Sequence, residues 1–277
     1  MSDFEKMILR KLSSDDIPCA MDLSTEAGWN QTSEDWRTLI ELSPEGCFGI
    51  EVEGVLASTA TLLCYGRRLA WVGMVLTRVR FRGRGYARRL LTETLKLADQ
   101  KGIETVKLDA TDQGQPLYEK LGFRCEQPIE RWMRSSSSHA PSSPVSELSA
   151  PRDWYEADQR AFGADRTQLL EKLALRTPPI SAGQSSYLLT RPGRTIRYLG
   201  PCVAERAEDA RLLVTHALQR SGPIEWFWDL FPRNKNAVAI ARELSFAPKR
   251  HLMRMARGKD LPTREENIYA ISGFELG

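Results

Sequence analysis

Val75-Leu76-Thr77-Arg78-Val79-Arg80-Phe81-Arg82-Gly83-Arg84-Gly85-Tyr86-Ala87-Arg88-Arg89-Leu90-Leu91 passes from an apolar, strand-like run through a turn holding two glycines into an amphipathic helix. Glycines at such a turn let backbone approach a ligand closely, because no Cβ stands in the way. The first amides of the helix that follows have no intrahelical partner and sit at the positive end of its dipole. Together they form an anion site suited to a phosphate or pyrophosphate. The first third of the chain is therefore expected to hold a phosphate-bearing cofactor.

The rest of the chain supplies the frame for that turn. Its 277 residues allow one large domain or two of ordinary size. Hydrophobic residues make up 42% and charged residues 27%, a globular composition. A net charge of +3 is too even to argue for nucleic acid or an anionic membrane as partner. No apolar run approaches the ~20 residues of a membrane helix. The start, Met1-Ser2-Asp3-Phe4-Glu5-Lys6, lacks the pattern of a signal peptide. Cys19, Cys47, Cys64, Cys125 and Cys202 are scattered and odd in number, which fits a reducing cytosol and an apolar filler role, Cys64 and Cys125 included. His139, His216 and His251 lie far apart, and no acidic cluster has metal-ligand spacing, so no metal is expected.

Ser135 to Pro144 is rich in Ser and Pro, a composition that cannot bury apolar surface. It divides the chain into residues 1–134 and 148–277 with a linker at 135–147, each part long enough for its own core. In the first part, strands are predicted at 7–11, 47–52, 55–64, 69–77 and 105–110. Helices are predicted from about 14 to 26 and at 33–42, 85–99 and 115–121. Two closing strands are expected, at 123–127 and 129–133.

At this point the chain resembles the GNAT N-acetyltransferases. The cofactor motif of that family, Gln/Arg-x-x-Gly-x-Gly/Ala, reads here Arg82-Gly83-Arg84-Gly85-Tyr86-Ala87. A second signature, a short helix with Tyr followed by Gly-Phe, reads Gln115-Pro116-Leu117-Tyr118-Glu119-Lys120-Leu121-Gly122-Phe123. Either alone is weak, but both stand in order, among the right elements, over about residues 7–134. The second part is a fainter echo. Strands read at 187–189, 195–199, 225–230 and 251–255, and helices at 208–219 and 236–244. Aligning Phe246 with Phe123 sets Ser245 opposite Gly122 and Ala241 opposite Tyr118, and Arg82–Ala87 has no counterpart. This reads as an internal duplication with a divergent copy. The expected fold class is α/β (an α+β mixed sheet): two tandem GNAT-like domains, each a mostly antiparallel mixed sheet flanked by helices.

The resemblance implies transfer of an acetyl group from acetyl-CoA to a primary amine by direct attack. It assigns cofactor contacts to Val75, Leu76 and Thr77 along the pantetheine arm, and to Gly83, Arg84, Gly85, Tyr86, Ala87 and Arg88 at the pyrophosphate. The arginines at 82, 84, 88 and 89 either add charge there or start a solvated helix. Tyr118 takes the role of the acid that protonates the departing thiolate, since a phenol of pKa about 10 carries its proton at neutral pH. Its alternative is packing.

Thr111 and Asp112 either cap the Tyr118 helix or touch the cofactor. Many family members place a glutamate on the strand before the glycine turn. Leu69-Ala70-Trp71-Val72-Gly73-Met74 holds none, leaving a water relay, Asp109, Glu26 or Asp22 as candidates for the base. Trp29, Asn30 and Glu26 fall in the segment expected to meet the amine, with Asp35 and Trp36 beside it. The tryptophans serve either as cation–π partners or as core. Trp226 and Trp228 are read as core or lobe interface.

The divergent part is expected to bind no CoA and either to complete the acceptor pocket or to form an interface. A CoA-binding sensor without turnover and an interaction scaffold are the competing classes. The acceptor is expected to be a small molecule, and the oligomeric state stays open, a homodimer included.

Overall fold

The computed structural model describes residues 6–137 and 153–277. The first half contains β1 (Met7–Lys11), α1 (Ile17–Glu26), α2 (Ser33–Leu42), β2 (Cys47–Val52), β3 (Val55–Tyr65) and β4 (Leu69–Thr77). It continues with α3 (Tyr86–Gln100), β5 (Thr105–Ala110), α4 (Gln115–Lys120) and β6 (Arg124–Arg134). The second half contains α5 (Trp154–Phe162), α6 (Thr167–Arg176), β7 (Ile180–Ala182), β8 (Ser186–Arg191) and β9 (Arg197–Val203). It closes with α7 (Ala207–Arg220), β10 (Trp226–Leu230), α8 (Lys235–Glu243), β11 (Ala247–Gly258) and β12 (Ile268–Ala270). Two helices, three antiparallel strands, helix, strand, helix, strand therefore occurs twice.

Local chemistry explains the elements that the sequence marked. Thr32 and Asp35 open α2 as a reciprocal cap: Asp35 Oδ2 accepts from the Thr32 amide at 2.7 Å, and Thr32 Oγ1 accepts from the Asp35 amide at 3.2 Å. Gly122 ends the α4 turn at φ 87°, and Ser245 holds the same left-handed conformation at φ 63° after α8. A β-carbon costs about 1–2 kcal/mol there, and the shared geometry supports the alignment of the two copies.

The halves differ from the expected pair of separate sheets. The twelve strands among the described residues form one sheet, in the order β1-β2-β3-β4-β5-β11-β6-β10-β9-β8-β7, with β12 on β9. The two predicted closing strands are one continuous β6. It does not lie beside β5: β11 inserts between them, pairing Met253 with Ala110 on one side and Leu252 with Ile129 on the other. β6 in turn pairs with β10, setting Trp132 opposite Trp228. Each half thus receives its last strand from the other.

One core crosses the seam, joining Trp36, Trp71 and Ile129 to Trp154, Leu169, Phe231 and Leu252. The seam also carries buried charge. Arg131 Nε and Nη2 donate to Asp229 at 2.7 and 2.6 Å, and Arg254 Nε and Nη2 donate to Asp109 at 2.8 and 2.9 Å. Asp35 receives Arg176 Nη1 at 2.6 Å. Trp226 and Trp228 are fully buried on β10 at this seam.

Beyond β12, residues 271–277 return to the first half. Trp71 Nε1 donates to Phe274 O at 2.9 Å, and the Tyr65 hydroxyl donates to Leu276 O. Cys47 and Cys202 are buried and Cys64 partly so, but Cys125 is exposed on β6 rather than a filler. Residues 138–147 of the expected linker, His139 among them, lie outside the described residues. Among the described residues no helix is long and apolar enough to cross a membrane.

Candidate active site

The site grows from a defect in the sheet. β4 and β5 pair in parallel only through Leu69–Thr105, Ala70–Val106 and Trp71–Lys107. Past Trp71 the strands part, leaving the β5-facing edge of β4 open. The register with β3 also slips between Thr59 and Thr61, and Met74 is forced to φ 48°. Such a bulge bends its strand and re-aims the backbone. Thr59 Oγ1 holds the distortion by donating to Met74 O at 2.8 Å.

A cavity of about 1050 Å³ opens along this gap. Val75, Leu76 and Thr77 line one wall, then Gly83, Gly85, Tyr86, Ala87 and Arg88 at the start of α3, with Leu117 and Tyr118 of α4 opposite. Gly83 and Gly85 stand at φ 76° and 80°, and a Cβ on either would meet nothing within 4 Å, so the space above the turn is free for a ligand. No side chain caps α3, whose first turn therefore keeps its amides for that ligand. Arg84 is absent from the lining, its guanidinium lying 5.4 Å from the Phe81 ring centroid. Arg89 turns away to Met7 Sδ at 3.6 Å.

Tyr118 is 8% exposed, and its ring meets Phe123 edge-on at 6.0 Å between centroids. Burial pushes its pKa up to about 12. Thr111 Oγ1 accepts from the Gly114 amide at 3.2 Å, tying the turn before α4, and Thr111 lines the cavity as well. Asp109 also lines the cavity, yet both of its oxygens are held by Arg254; burial raises its pKa against the pull of that arginine.

The acceptor segment divides differently from expectation. Trp29 borders the cavity and packs on the core, whereas Trp36 is wholly buried, its Nε1 donating to Ser24 Oγ at 3.0 Å. Glu26 lies outside the lining. Its carboxylate accepts from the Val79 amide at 2.8 Å and Arg78 Nη1 at 2.9 Å, clamping the β4–α3 turn from outside. Those contacts hold its pKa below the ordinary glutamate value, the Val79 amide contributing most. Asn30 borders the cavity, but its side chain is committed to the β8–β9 hairpin. Nδ2 donates to Ile196 O at 2.7 Å and Oδ1 accepts from the Thr195 amide at 2.9 Å. Both residues are thus structural ties rather than amine ligands. Asp22 is exposed and absent from the lining.

The far wall was not legible in the sequence. Arg131, Lys249, Arg250 and Leu252 come from the exchanged strands β6 and β11, Phe227 from β10, and Phe274 and Glu275 from the returning segment. The one local hint is Gly73, since a glycine inside a strand marks close approach of other backbone. A Cβ on Gly73 would lie 2.8 Å from Glu275 O. The equivalent gap in the second half is closed. β9 and β10 pair only at Arg197–Trp226, Tyr198–Phe227 and Leu199–Trp228 before parting, and β12 then pairs with β9 at Val203 and Cys202.

Residues 11–123 match the acetyltransferase (GNAT) family and residues 155–270 match the acetyltransferase (GNAT) domain. This chain is a tandem member of the GNAT acetyltransferases. The uncharacterized N-acetyltransferase YitH of Bacillus subtilis is 27% identical, over 97% of this chain and 98% of its own. A putative acetyltransferase from Pyrococcus horikoshii shares the fold at TM-score 0.88 and 22% identity, covering 100% of this chain and 98% of that one. A GCN5-related N-acetyltransferase from Sphaerobacter thermophilus follows at TM-score 0.69 and 18% identity, covering 93% and 98%. The open β4–β5 gap, the glycine turn and Tyr118 of the first half stand around one cavity, which residues of the second half close on the far side. The plugged gap sits in the second half.

Proposed function

We propose that this tandem GNAT protein transfers the acetyl group of acetyl-CoA to a primary amine by direct attack, using the first half alone to hold the cofactor. The observation that carries the reading is the unpaired edge of β4 running into the uncapped start of α3, with Tyr118 across the same cavity. The edge offers hydrogen bonds to the amides of a pantetheine arm, as an added strand does. The α3 start offers amides and a positive dipole to the pyrophosphate. The amine attacks the thioester carbon, the C–S bond breaks, and Tyr118 delivers its proton to sulfur.

Burial keeps the Tyr118 phenol protonated at neutral pH, so it has a proton to give to the thiolate as it forms. The second half supplies the far wall of the acceptor space, while its own gap is filled by β12 and offers no room for CoA.

Acetyl-CoA at a hundredfold excess over its Kd stabilises the folded chain by about 2.7 kcal/mol. That corresponds to a rise in melting temperature of roughly 5 °C or more for a protein of this size. Thiol release with amines is the companion measurement. No melting shift and no thiol release points to a scaffold, whereas a shift without release from any amine points to a CoA sensor.

A further inference from the structure

Three features of the cavity remain without a role in the cofactor reading. Glu275 is 2% exposed; its Oε1 accepts from Arg191 Nη2 at 2.5 Å, and its Oε2 is buried without a hydrogen-bond partner. Gln31 is 5% exposed, and its Oε1 is likewise buried and unpartnered. Arg250 is half-buried and makes no hydrogen bond or ion pair among the described residues, and Lys249 beside it is exposed. All four line the cavity.

A buried acceptor left unpaired costs about 1–3 kcal/mol, and two residues that line this one cavity each carry such an oxygen, which points to a ligand that donates hydrogen bonds. The charges specify the ligand further. Asp109 is cancelled by Arg254, Arg131 by Asp229, and Glu275 by Arg191. Nearby Asp35 is matched by Arg176. Every carboxylate of this wall is paired, and the two cations left over are Arg250 and Lys249. Arg250 stands opposite Arg131 across the β11–β6 pair; burial pushes its guanidinium down, the like charge of Arg131 adds to that, and Asp229 offsets part of it. A desolvated cation so placed is relieved by an anion.

We infer that the acceptor is a small amine that also carries an anionic group, a carboxylate or a phosphate: its nitrogen is received by Glu275 Oε2 and Gln31 Oε1, and its anion by Arg250 with Lys249. This deepens the acetyl-transfer reading and rests on it. The absence of a side chain at Gly73 lets the backbone of Glu275 press against β4, which brings this carboxylate-bearing residue to the strand that lacks a glutamate of its own. The entering ammonium gives one proton to Glu275 Oε2, from which it passes to solvent. The neutral amine then forms the C–N bond while the C–S bond breaks. Tyr118 gives its proton to sulfur and recovers one released by nitrogen, leaving one hydrogen on the amide. A polycationic acceptor is disfavoured, since it would add positive charge to a wall already in excess.

The test compares kcat/KM, by thiol release, for an amino acid, its uncharged amide, an amino sugar phosphate and a linear polyamine, in the full chain and in Arg250→Gln. An anionic amine is expected to exceed its neutral counterpart by at least about tenfold, the scale of one charge-assisted contact. The amino acid and the phosphate arms tell which anion is read. R250Q is expected to bring the ratio of anionic to neutral substrate close to one through KM for the acceptor, while leaving the acetyl-CoA-induced melting shift intact. Glu275→Gln is expected to lower kcat with the same melting shift retained, which separates lost chemistry from lost folding.

Preference for the polyamine or the neutral amide overturns the inference, and so does an unaltered ratio in R250Q. Binding of the anionic amine to CoA-loaded protein by calorimetry provides an arm independent of turnover. Tight binding there without turnover sinks the acetyl-transfer reading and keeps the acceptor site. Turnover of amines without anionic preference does the reverse.

Discussion

Residues 1–137 produced without the rest of the chain are expected to give no monomeric protein that turns over acetyl-CoA. Among the described residues, the strand partners of β6 are β10 and β11, and the outer edge of β5 is covered by β11. Removing the second half exposes both edges of β6 and one of β5, together with the apolar faces of Ile129 and Trp132, which are 0% and 2% exposed in the whole chain. Bare hydrophobic edges of this kind associate with other chains. The fragment is expected to aggregate or to pair with a second copy of itself. Co-production with residues 153–277 is expected to restore a 1:1 complex with thiol-releasing activity. Light scattering coupled to size exclusion and the thiol assay read both outcomes, and a monomeric, active first half would refute the exchange as a requirement.

The same seam can be probed without cutting the chain. Asp229→Ala leaves Arg131 buried without the carboxylate it is hydrogen-bonded to, a loss of about 3–5 kcal/mol. At about 2–4 °C per kcal/mol for a chain of this size, the melting temperature should fall by roughly 10 °C.

Tyr118→Phe is expected to lower kcat by about a hundredfold or more, the usual contribution of a placed general acid. It should change the acetyl-CoA-dependent melting shift little. The variant removes one oxygen and keeps the ring, so the edge-on contact with Phe123 at 6.0 Å survives. Loss confined to kcat identifies a group acting in the transition state, whereas equal loss of kcat and cofactor affinity would mean that the hydroxyl only positions the thioester.

The pH dependence follows from the raised pKa. Because burial holds Tyr118 near 12, it keeps its proton through the whole neutral and mildly alkaline range. Ionisation of Tyr118 is thus expected to cause no fall in wild-type kcat up to about pH 10, its unperturbed value. The linked stability has the same sign: the protonated phenol favours the folded state fully below pH 10, and that contribution is lost as pH rises through about 12.

Much of the first half could be read from its residues because its signals are local. The Thr32–Asp35 cap, the glycines at 83 and 85 and the apolar stripe of α3 each act within a few residues of chain. Eight of the nine proposed cofactor residues line one cavity for that reason; Arg84 departs because its long side chain finds the Phe81 ring instead. Glu26 and Asn30 misled the reading in another way. Polar type and position near the pocket suit an amine ligand, but the partners that claim them, Val79 with Arg78 and the Thr195–Ile196 hairpin, lie 53 and 166 residues away at the farthest.

The far wall of the cavity depends on pairing at still greater remove. Strand patterns declare that β6, β10 and β11 exist, yet alternation along a strand carries no record of which strand lies alongside. The exchange decides that Arg131 meets Asp229, that Arg250 borders the cavity, and that Glu275 presses on Gly73. By itself, then, the sequence determined two copies of one fold and a single glycine turn able to cradle phosphate, because turns, caps and periodicity are short-range physics. Only the tertiary structure decided that neither half closes its own sheet and that residues of the second half line the cavity of the first, because that outcome is set by long-range strand pairing and by buried charges finding partners across the seam.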